Sequence, residues 1–166
     1  MGIAPAPPIA NTFMGTYEED NVVGKFDDCA PFIRRFIDDG FALWERHLDP
    51  AINQSNWQRF KDTINASGLQ WIFSEQKRSV VFMDLTISIK NGKTVTSLYA
   101  KPLALYLYIP PHSCHAPGVL SGLIFGMILR IHQLCSKEED IDKELHLFVS
   151  RLLDRGYDLD KIKPLL

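Results

Sequence analysis

Asp38 and Asp39 are adjacent carboxylates followed by Gly40, set between two β-prone runs, Phe32-Ile33-Arg34-Arg35-Phe36-Ile37 and Phe41-Ala42-Leu43-Trp44. An Asp-Gly step between such runs is a strong short-range hairpin signal. Two carboxylates on a tight turn can hold Mg²⁺ or Mn²⁺, hard cations that take oxygen ligands. In a two-metal site they would activate a hydroxyl nucleophile and steady a leaving phosphate. The same three residues can equally be no more than the turn of a surface hairpin.

Other groups with chemical potential are sparser. His112-Ser113-Cys114-His115 puts three possible zinc ligands within four residues, but Cys29 and Cys135 lack the paired spacing that completes such a site. A Pro-rich connection with polar side chains accounts for the cluster. Gly118, Gly122, Gly126 and Arg130 recur every four residues along one expected helix. Glycine inside a helix costs about 1 kcal/mol relative to alanine, so the stripe needs a reason. Close packing against another helix is one; a smooth face for a nucleic-acid backbone, with Arg130 meeting a phosphate, is the other. Basic residues are otherwise scattered, with pairs at Arg34-Arg35 and Lys77-Arg78. His47, His132 and His146 suggest no catalytic arrangement. No Ser/His/Asp or Cys/His constellation, nucleotide-hydrolase glycine loop or internal repeat is present.

The elements that must position these groups follow from periodicity. Pro5, Pro7 and Pro8 delay a first helix, whose apolar residues Ala10, Phe13, Met14 and Tyr17 predict it from about Pro8 to Glu19. The hairpin around Asp39-Gly40 comes next. Trp57, Phe60, Lys61 and Ile64 predict a second helix, stopped by Gly68, with Trp57, Phe60 and Ile64 as its core face. Residues 69–73 and 80–89 read as strands, the second alternating Val81, Met83, Leu85, Ile87 and Ile89. Asn91-Gly92 is a further hairpin turn into a strand over 94–99. Two helices follow, 117–135 and one opened by a Ser136-Lys137-Glu138-Glu139 capping box, with Ile141, Leu145, Phe148 and Leu152 on one face and Gly156 after its end. The order is that of an α+β chain with antiparallel strands.

Composition bounds the rest. The 166 residues are 46% apolar and 23% charged, with a formal charge of −2. That supports a packed core and gives no global basic field, so any nucleic-acid contact must be local. Three scattered cysteines argue against a disulfide scaffold and suit a reducing compartment. Val119–Leu129 is too short to span a bilayer, and the first residues lack a signal peptide's basic and apolar regions. The Ala/Pro-rich opening reads as the interior of a longer ancestral protein, with Met1 an internal methionine.

The blocks taken together resemble a known family. Arg34-Arg35-Phe36-Ile37-Asp38-Asp39-Gly40-Phe41 resembles the aromatic-x-Asp-Asp hairpin of reverse transcriptases, with Phe36-Ile37 where a tyrosine is usual. Met1-Gly2, Ala6-Pro7, Ala10-Asn11, Phe13-Met14 and Tyr17-Glu18 resemble the Gly/Pro motif before it. Phe82-Met83-Asp84-Leu85-Thr86-Ile87 resembles the strand after it, and Leu98-Tyr99-Ala100-Lys101-Pro102 the primer grip. His115-Ala116-Pro117, Gly118, Gly122, Arg130, Cys135-Ser136 and Arg155-Gly156-Tyr157 resemble the thumb of retrotransposon polymerases, most closely the Penelope-like kind.

The resemblance implies a partial palm over residues 1–104, helix plus antiparallel hairpins, and a helical thumb over 105–166. It implies RNA-directed DNA synthesis in the parent enzyme, with an RNA template, a DNA primer and Mg²⁺ or Mn²⁺. Asp38 and Asp39 would be the catalytic metal ligands. Gly2, Pro7 and Asn11 would lie near nucleotide and template, and Tyr99, Lys101 and Arg130 near the primer. Such a protein would be nuclear or cytoplasmic. The family's other aspartate strand and its fingers are absent, so a fragment inactive without an N-terminal polymerase half is expected. The rivals are a non-catalytic nucleic-acid-binding or interaction remnant, and an unrelated α+β domain whose Asp-Asp-Gly is only a turn.

Overall fold

A computed structural model describes residues 4–166. Among the described residues the chain is α+β, with five α-helices, a 3₁₀ turn and two antiparallel sheets. It divides at Lys77–Arg78 into two compact units, so the expected boundary at 104/105 lies inside the second.

The first unit contains helix α1 (Ala6–Asn21), hairpin β1 (Phe32–Phe36) and β2 (Asp39–Leu43), and helix α2 (Pro50–Asn65). Helix α1 begins earlier than expected, with Pro7 and Pro8 inside its first turn, where their missing N–H groups have no intrahelical acceptor to lose. Asp49 caps α2 by accepting from Ala51 N at 2.8 Å. Phe60 and Ile64 are buried with Val22, Phe26, Cys29 and Ala30, as the apolar stripe of α2 requires. The packing is aromatic: Trp57 stacks on Phe60 at 5.7 Å, while Trp44 and Phe73 meet Trp57 edge-on.

Two expectations fail here. The hairpin turn is Ile37-Asp38, not Asp39-Gly40: Asp39 already pairs with Phe36, and Ile37 takes the positive φ of 54°. Residues 69–73 form no strand. Their backbone finds other partners: Trp71 N donates to Asn65 Oδ1 at 2.9 Å, and the Trp71 ring lies 3.3 Å from where a Cβ on Gly40 would stand.

The second unit opens with a three-stranded meander, β3 (Ser79–Phe82), β4 (Leu85–Lys90) and β5 (Lys93–Leu98). The strand expected over 80–89 is thus two strands, broken by a tight turn at Met83-Asp84 with Met83 at φ 55°. Asn91 (φ 51°) and Gly92 (φ 73°) form the second turn, as their types require. Helices α3 (Val119–Leu134), α4 (Glu138–Asp154) and α5 (Leu159–Ile162) follow, continued by a 3₁₀ turn at Lys163–Leu165. Ile124, Ile131, Phe148, Leu152 and Ile162 are fully enclosed, and Leu98 of the sheet packs against them.

Candidate nucleic-acid interface

The helical part of the second unit is assembled from its turns. Helix α4 is strongly amphipathic, and its Ile141, Leu145, Phe148 and Leu152 line the core. It ends in a Schellman arrangement: Gly156 N donates to Leu153 O at 2.9 Å and Tyr157 N to Leu152 O at 3.1 Å, with Gly156 at φ 93°. That reversal drops the Tyr157 ring into the core, and Asp158 then caps α5 by accepting from Asp160 N at 3.0 Å. Residues Arg155–Asp158 are therefore a short, glycine-containing turn joining two packed helices.

The expected capping box at the other end of α4 does not form. The N-cap is Lys137 and carries no side-chain cap bond. Ser136 instead serves the sheet: its hydroxyl accepts from Thr96 N at 2.8 Å and its N–H donates to Thr96 O at 3.0 Å. An irregular stretch before α3, with Tyr106 at φ 47°, is strapped onto the bundle. Arg155 Nε donates to Tyr108 O at 2.6 Å, Tyr157 Oη to Ile109 O at 2.7 Å, and the Arg151 guanidinium lies 3.6 Å from the Tyr106 ring centroid. Burial raises the Tyr108 phenol above its ordinary pKa, partly offset by Arg151; burial likewise raises the Cys135 thiol.

Residues 107–165 match the animal helix-turn-helix domain family. No curated protein and no solved structure matches the chain. The match corrects the reverse-transcriptase resemblance, and with it the labels of RNA-directed DNA polymerase and nucleotidyltransferase. Three of the blocks that carried the thumb likeness have local explanations in this bundle. Gly118 is the α3 N-cap at φ 88°, Cys135-Ser136 is the α3–α4 turn, and Arg155-Gly156-Tyr157 is the α4 terminus.

The residues singled out in the sequence fall as follows. Asp38 and Asp39 are exposed at the first hairpin tip; Asp38 is in the turn and Asp39 begins β2. They offer two carboxylates, and among the described residues no group of three or more His, Cys, Asp or Glu is placed to hold a metal ion. Six or so oxygens are what magnesium takes, so the pair does not by itself make a site. The same holds for His112, Cys114 and His115. Asn11 is brought to this tip through Arg35, which is held by Glu18 at 2.5 Å, Asn11 Oδ1 at 3.1 Å and Ile37 O at 2.8 Å. Pro7 lies in the first turn of α1, and Gly2 lies outside the described residues.

In the second unit Tyr99 N donates to Asp84 O at 2.8 Å, and Arg130 pairs with the Asp84 carboxylate. Two expected primer contacts thus meet at the β3–β4 turn, with Arg130 engaged by a carboxylate. Lys101 is exposed, and its carbonyl accepts from Ala104 N at 2.9 Å. Gly122 and Gly126 have open space where a Cβ would stand, so no close helix contact within the described residues explains them.

Sequence reasoning missed Lys161 and Lys163, both exposed at and after α5. Their signal was weak: two lysines beside Asp158 and Asp160 read as an ordinary solvated end.

Proposed function

We propose that the second unit carries a nucleic-acid-binding helix-turn-helix module, the pair α4 and α5 joined at Gly156 supplying the motif. The observation that carries this reading is the coincidence of the matched family, residues 107–165, with the bundle α3–α5 and its strap. In such motifs the second helix meets the major groove and its neighbour crosses the backbone.

The charge pattern selects which helix approaches phosphate. Helix α4 begins with Glu138, Glu139 and Asp140, which stabilise its own N-terminus but repel a polyanion. Lys161 and Lys163 stand exposed on the α5 side. The module has seven basic and eight acidic residues between 107 and 165; its affinity therefore rests on local contacts and not on a broad field.

The test is fluorescence anisotropy of a labelled DNA duplex titrated with the full chain over a range of KCl concentrations. Affinity should fall with salt, and Lys161→Ala with Lys163→Ala should shallow the log–log slope by about 0.9 for each phosphate contact removed. A flat salt response sinks the reading.

A further inference from the structure

The three-stranded sheet of the second unit has two unlike faces. Side chains alternate along a strand, and the register puts Ser79, Thr86, Ser88, Lys90, Lys93 and Ser97 on one of them, together with Val81 and Val95. The other bears Leu85, Ile87 and Leu98, of which Leu98 packs against the helical core. On this hydroxyl-bearing face the Ser79 and Ser88 hydroxyls bond to each other at 2.8 Å.

Lys90 and Lys93 are directly opposed across the Asn91-Gly92 turn, and all four residues are exposed. Like charges directly opposite each other destabilise a hairpin. Arg78 joins the same end: its carbonyl accepts from Ile89 N at 2.8 Å and its side chain is exposed. The sole carboxylate between residues 78 and 99 is Asp84. It sits at the opposite end of β4 and is paired with Arg130. Nothing acidic in the sheet therefore offsets the basic tip.

We infer that the Lys90–Lys93 hairpin tip and its hydroxyl-bearing face are a second DNA-contacting surface, a wing that grips the phosphate backbone of a duplex beside the helix-turn-helix. Lysine, serine and threonine side chains are common donors to phosphate oxygens. A turn with both central residues at positive φ presents the two ammonium groups from a rigid tip. The wing is joined to the module's own backbone through Thr96 and Ser136, so its position follows the α3–α4 turn. The inference rests on the nucleic-acid reading above.

The test uses the full chain and the same duplex. Lys90→Gln with Lys93→Gln should weaken binding about tenfold at low salt and shallow the log–log slope by about 1.8. Its Tm should equal or exceed that of the parent, because an opposed like-charge pair is gone. Lys90→Arg with Lys93→Arg should keep the parental slope. An unchanged slope and affinity in the Gln variant overturns the wing and leaves the helical reading standing. Loss of slope in the Arg variant also overturns it, since charge would not be the cause. No duplex binding by the parent chain overturns both readings, as does retention of the parent on phosphatidylserine vesicles without duplex binding.

Discussion

The Ile37-Asp38 and Met83-Asp84 turns are built alike, each a two-residue link with a bulky non-glycine residue at positive φ followed by an aspartate. They are used differently. At Met83-Asp84 the aspartate is the anchor: its carboxylate pairs with Arg130 of α3 and its carbonyl accepts from Tyr99. At Ile37-Asp38 the anchor is a β1 residue two positions before Ile37, Arg35, which fastens the Ile37 carbonyl to Glu18 and Asn11 of α1. A carboxylate at a hairpin tip is thus equally available as a structural counter-ion or as an exposed charge. Residue type does not say which; the cation behind the turn does. Either backbone carries strain that an isolated hairpin would avoid, so each tip depends on its anchor.

The difference extends to the units. The first is cemented by aromatic rings that retain partial exposure, whereas the second encloses five large side chains completely. Phe148→Ala should therefore cost about 3–5 kcal/mol, read by the loss of helical circular dichroism in urea. Phe60→Ala should cost less, because Phe60 keeps a little exposure and its ring neighbours can settle toward the gap. Tryptophan fluorescence isolates that unit, since Trp44, Trp57 and Trp71 all lie in it. A larger loss from Phe60→Ala would reverse the ranking of the two cores.

Glycines sharpen the contrast within the second unit. Gly156→Ala should destabilise by about 1–2 kcal/mol, because φ 93° is closed to a β-carbon without strain. Gly122→Ala and Gly126→Ala meet open space inside a helix and should stabilise by about 0.8–1 kcal/mol each. Thermal melts of the three variants must move in opposite directions; a loss at Gly122 or Gly126 would reveal a close neighbour on that face.

The smallest effect tests the turns directly. Asp84→Asn removes the partner of Arg130, and because both side chains are about half exposed the cost should stay at or below about 1 kcal/mol and shrink with added salt. Asp38→Asn should leave the melting temperature unchanged. Equal losses at both sites would mean that Asp38 has a counter-ion as well.

What was legible in the sequence was whatever local chemistry decides. The 3.6-residue stripes of α2 and α4, the Asn91-Gly92 turn and the glycine that ends α4 all stand where residue type and spacing put them. The failures have distant causes. Val81, Met83, Leu85, Ile87 and Ile89 hold alternate positions straight through the break, so their spacing does not mark Met83-Asp84 as a turn; the break is held from Arg130 and Tyr99. The Ser136-to-Glu139 spacing is that of a capping box, but Thr96, forty residues earlier, takes the hydroxyl. Gly118, Cys135-Ser136 and Arg155-Gly156-Tyr157, which suggested a polymerase thumb, mark turns and caps. For the candidate site, α3 and α4 were foreseen, but α5 and the exposed lysines beside it were not, because a four-residue helix and isolated lysines carry no spacing signal.

The strap before α3 has a consequence in time. Tyr108 and Ile109 are fastened by Arg155 and Tyr157, 47 and 48 residues further along the chain. At a synthesis rate of roughly 5–20 residues per second, the anchors are made about 2–10 seconds after the segment they hold. During that interval Leu103, Leu105 and Leu107, which stay largely exposed even in the finished fold, sit on an untethered apolar stretch open to association with another chain. The nascent protein is most in need of a holding chaperone in that window, and slowing translation after residue 109 should lower its soluble yield.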